Sequence, residues 1–293
     1  VFPGPKMADG ETLTALINSE KINYSLGVPT VWLALVNYLN ASGETVESLK
    51  SVVVGGSACP LSLMKEMEKH GVWMHAGWGM TEMSPLGSYN RPMAWMKGRP
   101  QEEIDAYRIR AGRIVYGVEM KSVDADNREL PWDGIASGVL KVKGPWVSKG
   151  YYKLDDKPAL DAQGWFDTGD MAAIDEYGYV VITDRVKDVI KSGGEWISSI
   201  DVENAAMSHQ DVQEAAVIGV PDPKWTERPL LIVVPVEGVA PDKAVKESIL
   251  ASLEGKIAKW WIPQDCIFVD EIPHTATGKI SKKDLREQFK DYQ

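Results

Sequence analysis

The segment from Ser51 to His75 limits the fold more than any other. Ser51 to Val54 is a short β-branched run without polar alternation, the pattern of a strand buried on both faces of a parallel sheet. Gly55-Gly56-Ser57-Ala58-Cys59-Pro60 then turns the chain, Ser62 to His70 reads as a helix, and Val72 to His75 reads as the next strand. Strand, turn, helix and strand in that order signal an α/β layer architecture. Upstream, Glu11 to Ile22 places Leu13, Leu16 and Ile17 on one helical face, and Val31 to Leu39 forms a helix entered through Pro29-Thr30.

The texture changes twice further on. From Pro92 to Thr183, short strands alternate with turn clusters such as Asp124-Ala125-Asp126-Asn127, Trp132-Asp133-Gly134 and Lys143-Gly144-Pro145, predicting a small β-rich barrel or sandwich. Past Asp184-Arg185 a helix is expected from Asp201 to Met207, capped by Ser199, with strands at Ala215 to Val220 and Leu231 to Val236. A helix from Asp242 to Ala258 follows, because Val245, Ile249, Leu253 and Ile257 recur every fourth residue. A strand at Cys266 to Val269 and a short terminal helix complete a compact α+β unit. The expected fold class is therefore a multidomain α/β and α+β chain. Residues 1–95 end a doubly wound α/β subdomain, 96–184 form a β-barrel-like subdomain, and 185–293 form a small α+β domain.

Charge and cysteine usage narrow the function. A formal charge of −10 and a pI near 5.0 argue against a general nucleic-acid surface, which needs a basic stripe. They leave room for a nucleotide, since a locally positive pocket binds an anion on an acidic protein. Cys59 and Cys266 lie too far apart in sequence to suggest a disulfide scaffold, which suits a reducing, cytoplasmic setting. With His70, His75, His209 and His274 they make no spaced metal cluster. No apolar run is long enough for a bilayer and no signal peptide is visible. The start at Val1 reads as a cut edge.

Five segments are candidates for chemistry. In Gly55 to Pro60, small residues past a parallel strand let a flat ligand approach the backbone, although alone this is an ordinary tight turn. His75-Ala76-Gly77-Trp78-Gly79-Met80-Thr81-Glu82 begins like a dinucleotide fingerprint, but Glu82 stands where the third glycine belongs, and the Rossmann reading fails. Trp78 offers a flat face for a purine, Thr81 a hydroxyl for phosphate, and Glu82 a hard carboxylate for Mg2+, although alone the segment reads as a core tryptophan beside a surface glutamate. In Gly164-Trp165-Phe166-Asp167-Thr168-Gly169-Asp170, a carboxylate in a Gly-flanked turn can accept both hydroxyls of a ribose, although alone this reads as an ordinary Asp-Gly turn. Asp184 to Glu195 is a charged stretch opening onto Ser192-Gly193-Gly194, either a solvated linker or a hinge whose glycines are flexible enough to line a narrow channel. Last, His274-Thr275-Ala276-Thr277-Gly278-Lys279 puts a point charge on a Gly-containing loop.

In this order and spacing, the five segments resemble the adenylate-forming enzymes: acyl-CoA synthetases, coumarate–CoA ligases, beetle luciferases and peptide-synthetase adenylation domains. Trp78, Thr81-Glu82-Met83-Ser84-Pro85 and Lys191 to Ser198 look like the medium-chain fatty-acyl-CoA synthetase group, which includes ligases for 3-(methylthio)propanoate. The resemblance implies an ATP-dependent acid–CoA ligase that forms acyl-AMP and then acyl-CoA. Its substrates would be a small carboxylic acid, ATP and coenzyme A, with Mg2+. No nucleic acid or membrane span is expected, and a homodimer is left open.

By that resemblance alone, Gly56, Ser57, Ala58 and Cys59 line the adenine pocket and Trp78 stacks on adenine. Gly77, Gly79, Met80 and Thr81 border the acyl and phosphate groups, and Glu82 holds Mg2+. Asp170 grips the ribose hydroxyls with help from Arg185, Lys187 marks the hinge, and Lys279 is the catalytic lysine of adenylation. Rotation about the hinge withdraws Lys279 and brings in Lys191, Ser192, Gly193, Gly194, Glu195 and Trp196 to line the CoA channel. The family's Ser/Thr/Gly-rich phosphate loop is absent and belongs upstream of Val1, so this stretch alone is expected to be inactive. The rivals are an adenylating enzyme that loads a carrier-protein thiol, luciferase-like oxidation of the adenylate, and a non-catalytic nucleotide-binding module. A serine hydrolase is disfavoured, because Gly55-Gly56-Ser57-Ala58-Cys59 lacks the last glycine of a nucleophile elbow.

Overall fold

The computed structural model describes residues 1–154, 158–275, 279–290 and 292. The chain divides into two compact units, Val1–Ile182 and Thr183–Gln293.

In the first unit, α1 (Gly10–Glu20) starts where the Asp9 carboxylate accepts the Thr12 N–H at 2.9 Å, capping an orphan donor. β1 (Tyr24–Gly27) leads to α2 (Pro29–Ser42), which has proline in its first turn and Gly43 as its left-handed stop. β2 (Ser51–Val54), α3 (Leu61–Lys69) and β3 (Trp73–Gly79) follow, and β1, β2 and β3 pair in parallel. The core between helices and strands holds Trp32, Leu35, Leu39, Val52, Val54, Met64, Met67 and Met74. Each packs from an apolar stripe spaced for its element, as the strand–turn–helix–strand pattern requires.

The sheet continues past β3 instead of ending there. β3 pairs with β2 through Trp73 to Ala76 and with antiparallel β4 (Leu86–Tyr89) through Gly77 to Gly79. After β4 come α4 (Gln101–Arg108), β5 (Gly112–Ile114), β6 (Glu119–Val123), β7 (Gly138–Lys143), β8 (Phe166–Ile174) and β9 (Tyr179–Arg185). The nine strands run in the order β1-β2-β3-β4-β5-β9-β8-β7-β6. Among the described residues this path is open and closes no barrel, and α4 interrupts the stretch expected to hold strands only. The reason lies in β3, whose two halves serve two neighbours and carry one sheet through both textures. A second core with Met83, Leu140, Val142, Phe166, Ile174 and Val180 packs against these strands.

The second unit holds β10 (Ile190–Ser192), β11 (Glu195–Ile197), α5 (Ser199–Ala206), β12 (Val212–Asp222) and β13 (Thr226–Pro235). α6 (Lys243–Ser252), β14 (Asp265–Phe268) and α7 (Lys282–Gln288) complete it. The strand order is β11-β10-β13-β12, with β14 parallel to β13. Alternate residues of β12 and β13 enter two cores. Ala215, Val217, Leu231 and Val233 pack with Val202 and Ile249, whereas Ala216, Ile218, Leu230 and Ile232 pack with Leu285. Covered on both faces, the two strands read as near-continuous apolar runs.

Two expectations shift here. The cap of α5 is Ser198, whose hydroxyl accepts the Asp201 N–H at 3.1 Å, while Ser199 is already helical. α6 stops at Ser252, six residues short of Ala258, because the chain turns through Gly255 at a φ of 77°. Ile257 still packs on the same core, which is why its spacing mimics one more helical turn.

Candidate functional site

In the first unit, the loop after β2 exposes Gly56, Ser57 and Ala58 at the carboxyl end of a parallel strand, where open α/β sheets bind ligands. Cys59 turns inward and joins the core; burial pushes its thiol up to about 12, so it is neutral and no nucleophile. Gly77, Trp78 and Gly79 occupy the last residues of β3. Met80 precedes a single 3-10 turn, Thr81–Met83, in which Thr81 is exposed and Glu82 half-buried. The carboxylate of Glu82 accepts the Tyr151 hydroxyl at 2.9 Å, and its backbone oxygen accepts the Ser148 N–H at 2.7 Å. The hydrogen bond to Glu82, with burial and the carboxylate's charge behind it, raises the Tyr151 phenol above its ordinary pKa and keeps it a donor.

Asp170 was expected in a turn and lies inside β8. Between the pairs Lys141–Asp167 and Val139–Met171, three residues of β8 face one of β7. Gly169 takes a φ of 68° within this irregularity, a conformation that costs glycine little. A bulge of this kind re-aims a side chain, and Asp170 accepts the Trp78 indole N–H at 2.9 Å. Motifs 92 residues apart therefore meet at the end of β3.

The second unit gathers the remaining candidates. Arg185 ends β9 beside Asp184, which is buried and accepts the backbone N–H and hydroxyl of Ser199 at 2.6 and 2.8 Å. Burial raises the Asp184 carboxyl, outweighing the nearby Lys282 charge and those hydrogen bonds. Lys187 is exposed in the turn from Arg185 to Val189, and its carbonyl accepts Arg286 Nη2 at 3.3 Å. Lys191, Ser192, Glu195 and Trp196 are strand residues. β10 and β11 form a hairpin whose two-residue turn is Gly193-Gly194, with φ of 61° and 88°. Positive φ at both positions is what a tight two-residue hairpin turn demands, and glycine meets it without strain. Lys191 pairs with Trp196, which is 49% exposed.

Lys279 is half-buried; its carbonyl accepts the Thr275 N–H at 2.7 Å and its own N–H donates to Thr275 Oγ1 at 3.2 Å. Its loop neighbours Ala276, Thr277 and Gly278 lie outside the described residues. Sequence reasoning missed Tyr151, the partner of Glu82, whose only signal is an aromatic pair after Lys149-Gly150. It also passed over Trp225, Arg228 and Trp260, which surround the hairpin turn.

No helix among the described residues is long and apolar enough to cross a membrane. Among them, no group of three or more His, Cys, Asp or Glu could hold a metal ion. A lone carboxylate such as Glu82 still suits Mg2+, which commonly binds through one or two carboxylates plus substrate phosphates.

Comparison with known proteins identifies the family. The AMP-binding enzyme model matches residues 1–152 and the AMP-binding enzyme C-terminal domain matches residues 201–279. The chain is 50% identical over 292 residues to 3-methylmercaptopropionyl-CoA ligase of Ruegeria pomeroyi, covering 99% of this chain and 53% of that one. It is 44% identical over 293 residues to medium-chain-fatty-acid–CoA ligase of Ectopseudomonas oleovorans, again covering 99% and 53%. Among solved structures, ATP-bound MatB from Rhodopseudomonas palustris superposes with a TM-score of 0.81 at 30% identity, covering 97% of this chain and 54% of that one. A benzoate CoA ligase from Burkholderia xenovorans gives 0.82 at 26% identity, covering 96% and 54%. The chain thus spans about half the length of the curated relatives it matches. With one family model over more than half its length and a second over its C-terminal unit, the chain belongs to the AMP-binding enzyme family.

Proposed function

We propose that the intact protein is an ATP-dependent acid–CoA ligase acting on a medium-chain fatty acid or 3-(methylthio)propanoate. The observation that supports this reading is the Trp78–Asp170 hydrogen bond, which joins a purine-sized aromatic ring to the carboxylate assigned to the ribose. The names of the two relatives above supply the acid classes.

In the first half-reaction an oxygen of the acid's carboxylate bonds to the α-phosphorus of ATP, the bond to pyrophosphate breaks, and acyl-AMP forms. Negative charge gathers on phosphoryl oxygens, where a fixed cation lowers the barrier most, and that is the part assigned to Lys279. Gly56 to Ala58 and Trp78 receive the adenine, and Asp170 with Arg185 holds the ribose. Glu82, oriented by Tyr151, would hold Mg2+, which supplies charge neutralisation of the phosphates when bound. In the second half-reaction the CoA thiolate attacks the acyl carbon, the carbon–oxygen bond to AMP breaks, and AMP leaves. The hairpin from Lys191 to Trp196 serves this step, with Lys187 as the pivot between residues 1–182 and the unit that follows.

The test is to incubate the intact protein with MgATP, CoA and acids from acetate to dodecanoate, plus 3-(methylthio)propanoate and benzoate. Acyl-CoA, AMP and pyrophosphate from one acid class support the reading. Adenylate without a CoA thioester would favour loading of a carrier-protein thiol, and no adenylate from any acid would favour a nucleotide-binding module.

A further inference from the structure

Two glycines cannot hold a turn rigid by themselves, because glycine loses the most backbone freedom on ordering. Around Gly193-Gly194 other side chains supply the constraint. The Gly193 N–H donates to the Trp225 carbonyl at 2.9 Å, and a Cβ on Gly193 would lie 2.9 Å from the Trp225 ring. Trp225 meets Trp260 edge-on, with ring centroids 4.6 Å apart at 80°. Arg228, only 6% exposed, lies 4.4 Å from the Trp260 centroid. Its Nη1 donates to Ser192 Oγ at 3.3 Å and to the Trp260 carbonyl at 2.9 Å, and its Nη2 donates to the Ile262 carbonyl at 3.2 Å. Those three acceptors are neutral. A buried guanidinium held by neutral oxygens is a costly way to gain stability but an effective way to fix geometry, because its planar fork dictates where each acceptor sits.

We propose that Arg228, Trp260 and Trp225 are positioning residues that hold the Gly193-Gly194 turn as a preformed wall for the pantetheine arm of CoA. The proposal rests on the ligase reading above. The arm is a narrow chain whose thiolate must reach the acyl carbon, and a wall displaced by about 1 Å can cost about a hundredfold in rate. Arg228 fixes Ser192 at the end of β10, Trp260 braces Trp225, and Trp225 fixes the turn through one hydrogen bond and one ring face.

The experiment separates the half-reactions in the intact protein. Trp225→Ala is supplied with acyl-AMP while CoA is titrated, and acid-dependent pyrophosphate exchange is measured in parallel. The expected result is kcat/KM for CoA lowered about a hundredfold, with KM for CoA raised, while exchange stays within about twofold. Trp225→Phe, which keeps a flat ring, restores most of the loss. If Trp225→Ala does not fold, Arg228→Lys carries the same test, because an ammonium cannot reproduce the forked contacts. An equal fall in both half-reactions, or a thioester step unchanged in a folded variant, overturns the proposal. Should the unaltered protein make adenylate but no CoA thioester, the ligase reading itself fails; normal thioester formation by Trp225→Ala contradicts the wall alone.

Discussion

Most of the shifted carboxylates are treated in opposite ways by the two units. In the first, Asp161 accepts the backbone N–H groups of Trp165 and Gln163, which hold its carboxyl below the usual range with help from Lys141. Burial raises Asp105, but hydrogen bonds from Lys65 and Gln101 and the Lys65 and Arg108 charges outweigh it, leaving the group lowered. In the second unit burial wins at four carboxylates, whereas at Asp265 hydrogen bonds from Lys246 and Tyr292 outweigh it and the group is lowered. Burial raises Asp184 and Glu203 against the pull of Lys282, raises Asp201 together with the like charge of Asp184, and raises Glu214 against His274. Carboxylates at turns are ionised at little cost, whereas Asp184 and Glu203 share the single cation of Lys282. In the first unit Asp161 serves its own turn, while in the second Asp184 and Glu203 tie α5 to Lys282 of α7.

Removing the shared cation is the sharpest way to break this comparison. Lys282 bonds Glu203 at 2.7 Å and the hydroxyl of Ser199, and both charged partners are nearly buried. Lys282→Met leaves uncompensated buried charge and is expected to destabilise the second unit by about 3–5 kcal/mol, read from urea unfolding. A loss no larger than that of an exposed lysine such as Lys243 would contradict it. The first unit's counterpart is smaller. Trp78→Phe deprives Asp170 of a donor and is expected to cost about 1–3 kcal/mol by the same measurement; an unchanged midpoint would mean the contact contributes nothing.

Acid sharpens the contrast further. A raised carboxyl stabilises the fold most below its unfolded pKa and loses that contribution as pH rises through the folded pKa; a lowered one does the reverse. The second unit is therefore expected to gain stability as pH falls from neutrality toward the unfolded values of 3.8 for aspartate and 4.5 for glutamate. The first unit should begin to lose the contributions of Asp105 and Asp161 only below 3.8. Hydrogen exchange resolved by unit at pH 7 and pH 5 checks the sign; parallel changes would erase the distinction. The smallest effect is one on which the units agree. Burial pushes both Cys59 and Cys266 up to about 12, so neither should react with iodoacetamide at pH 8 until the protein unfolds.

How much of this was legible in the sequence follows from how local each signal is. The βαβ run from Ser51 to His75 reads correctly because its strands and helix follow from short periodic patterns. The end of α6 was overshot because Ile257 keeps the spacing while leaving the helix. The open path of nine strands was not legible, since nothing in the sequence shows that β3 divides between two neighbours. Trp78 and Asp170 each stand out as ligand-sized features, but their pairing depends on a bulge marked only by Gly169. Gly193-Gly194 suggests flexibility from composition alone; in the fold the pair is a hairpin turn against the ring of Trp225, a neighbour that no local pattern announces.

The assignment of separate half-reactions to separate residues is tested most directly by Lys279→Ala in the intact protein. Acid-dependent pyrophosphate exchange would be measured beside thioester formation from supplied acyl-AMP and CoA. The account predicts that exchange is lost while thioester formation persists. Equal loss of both half-reactions, or exchange that survives, would contradict the role given to Lys279.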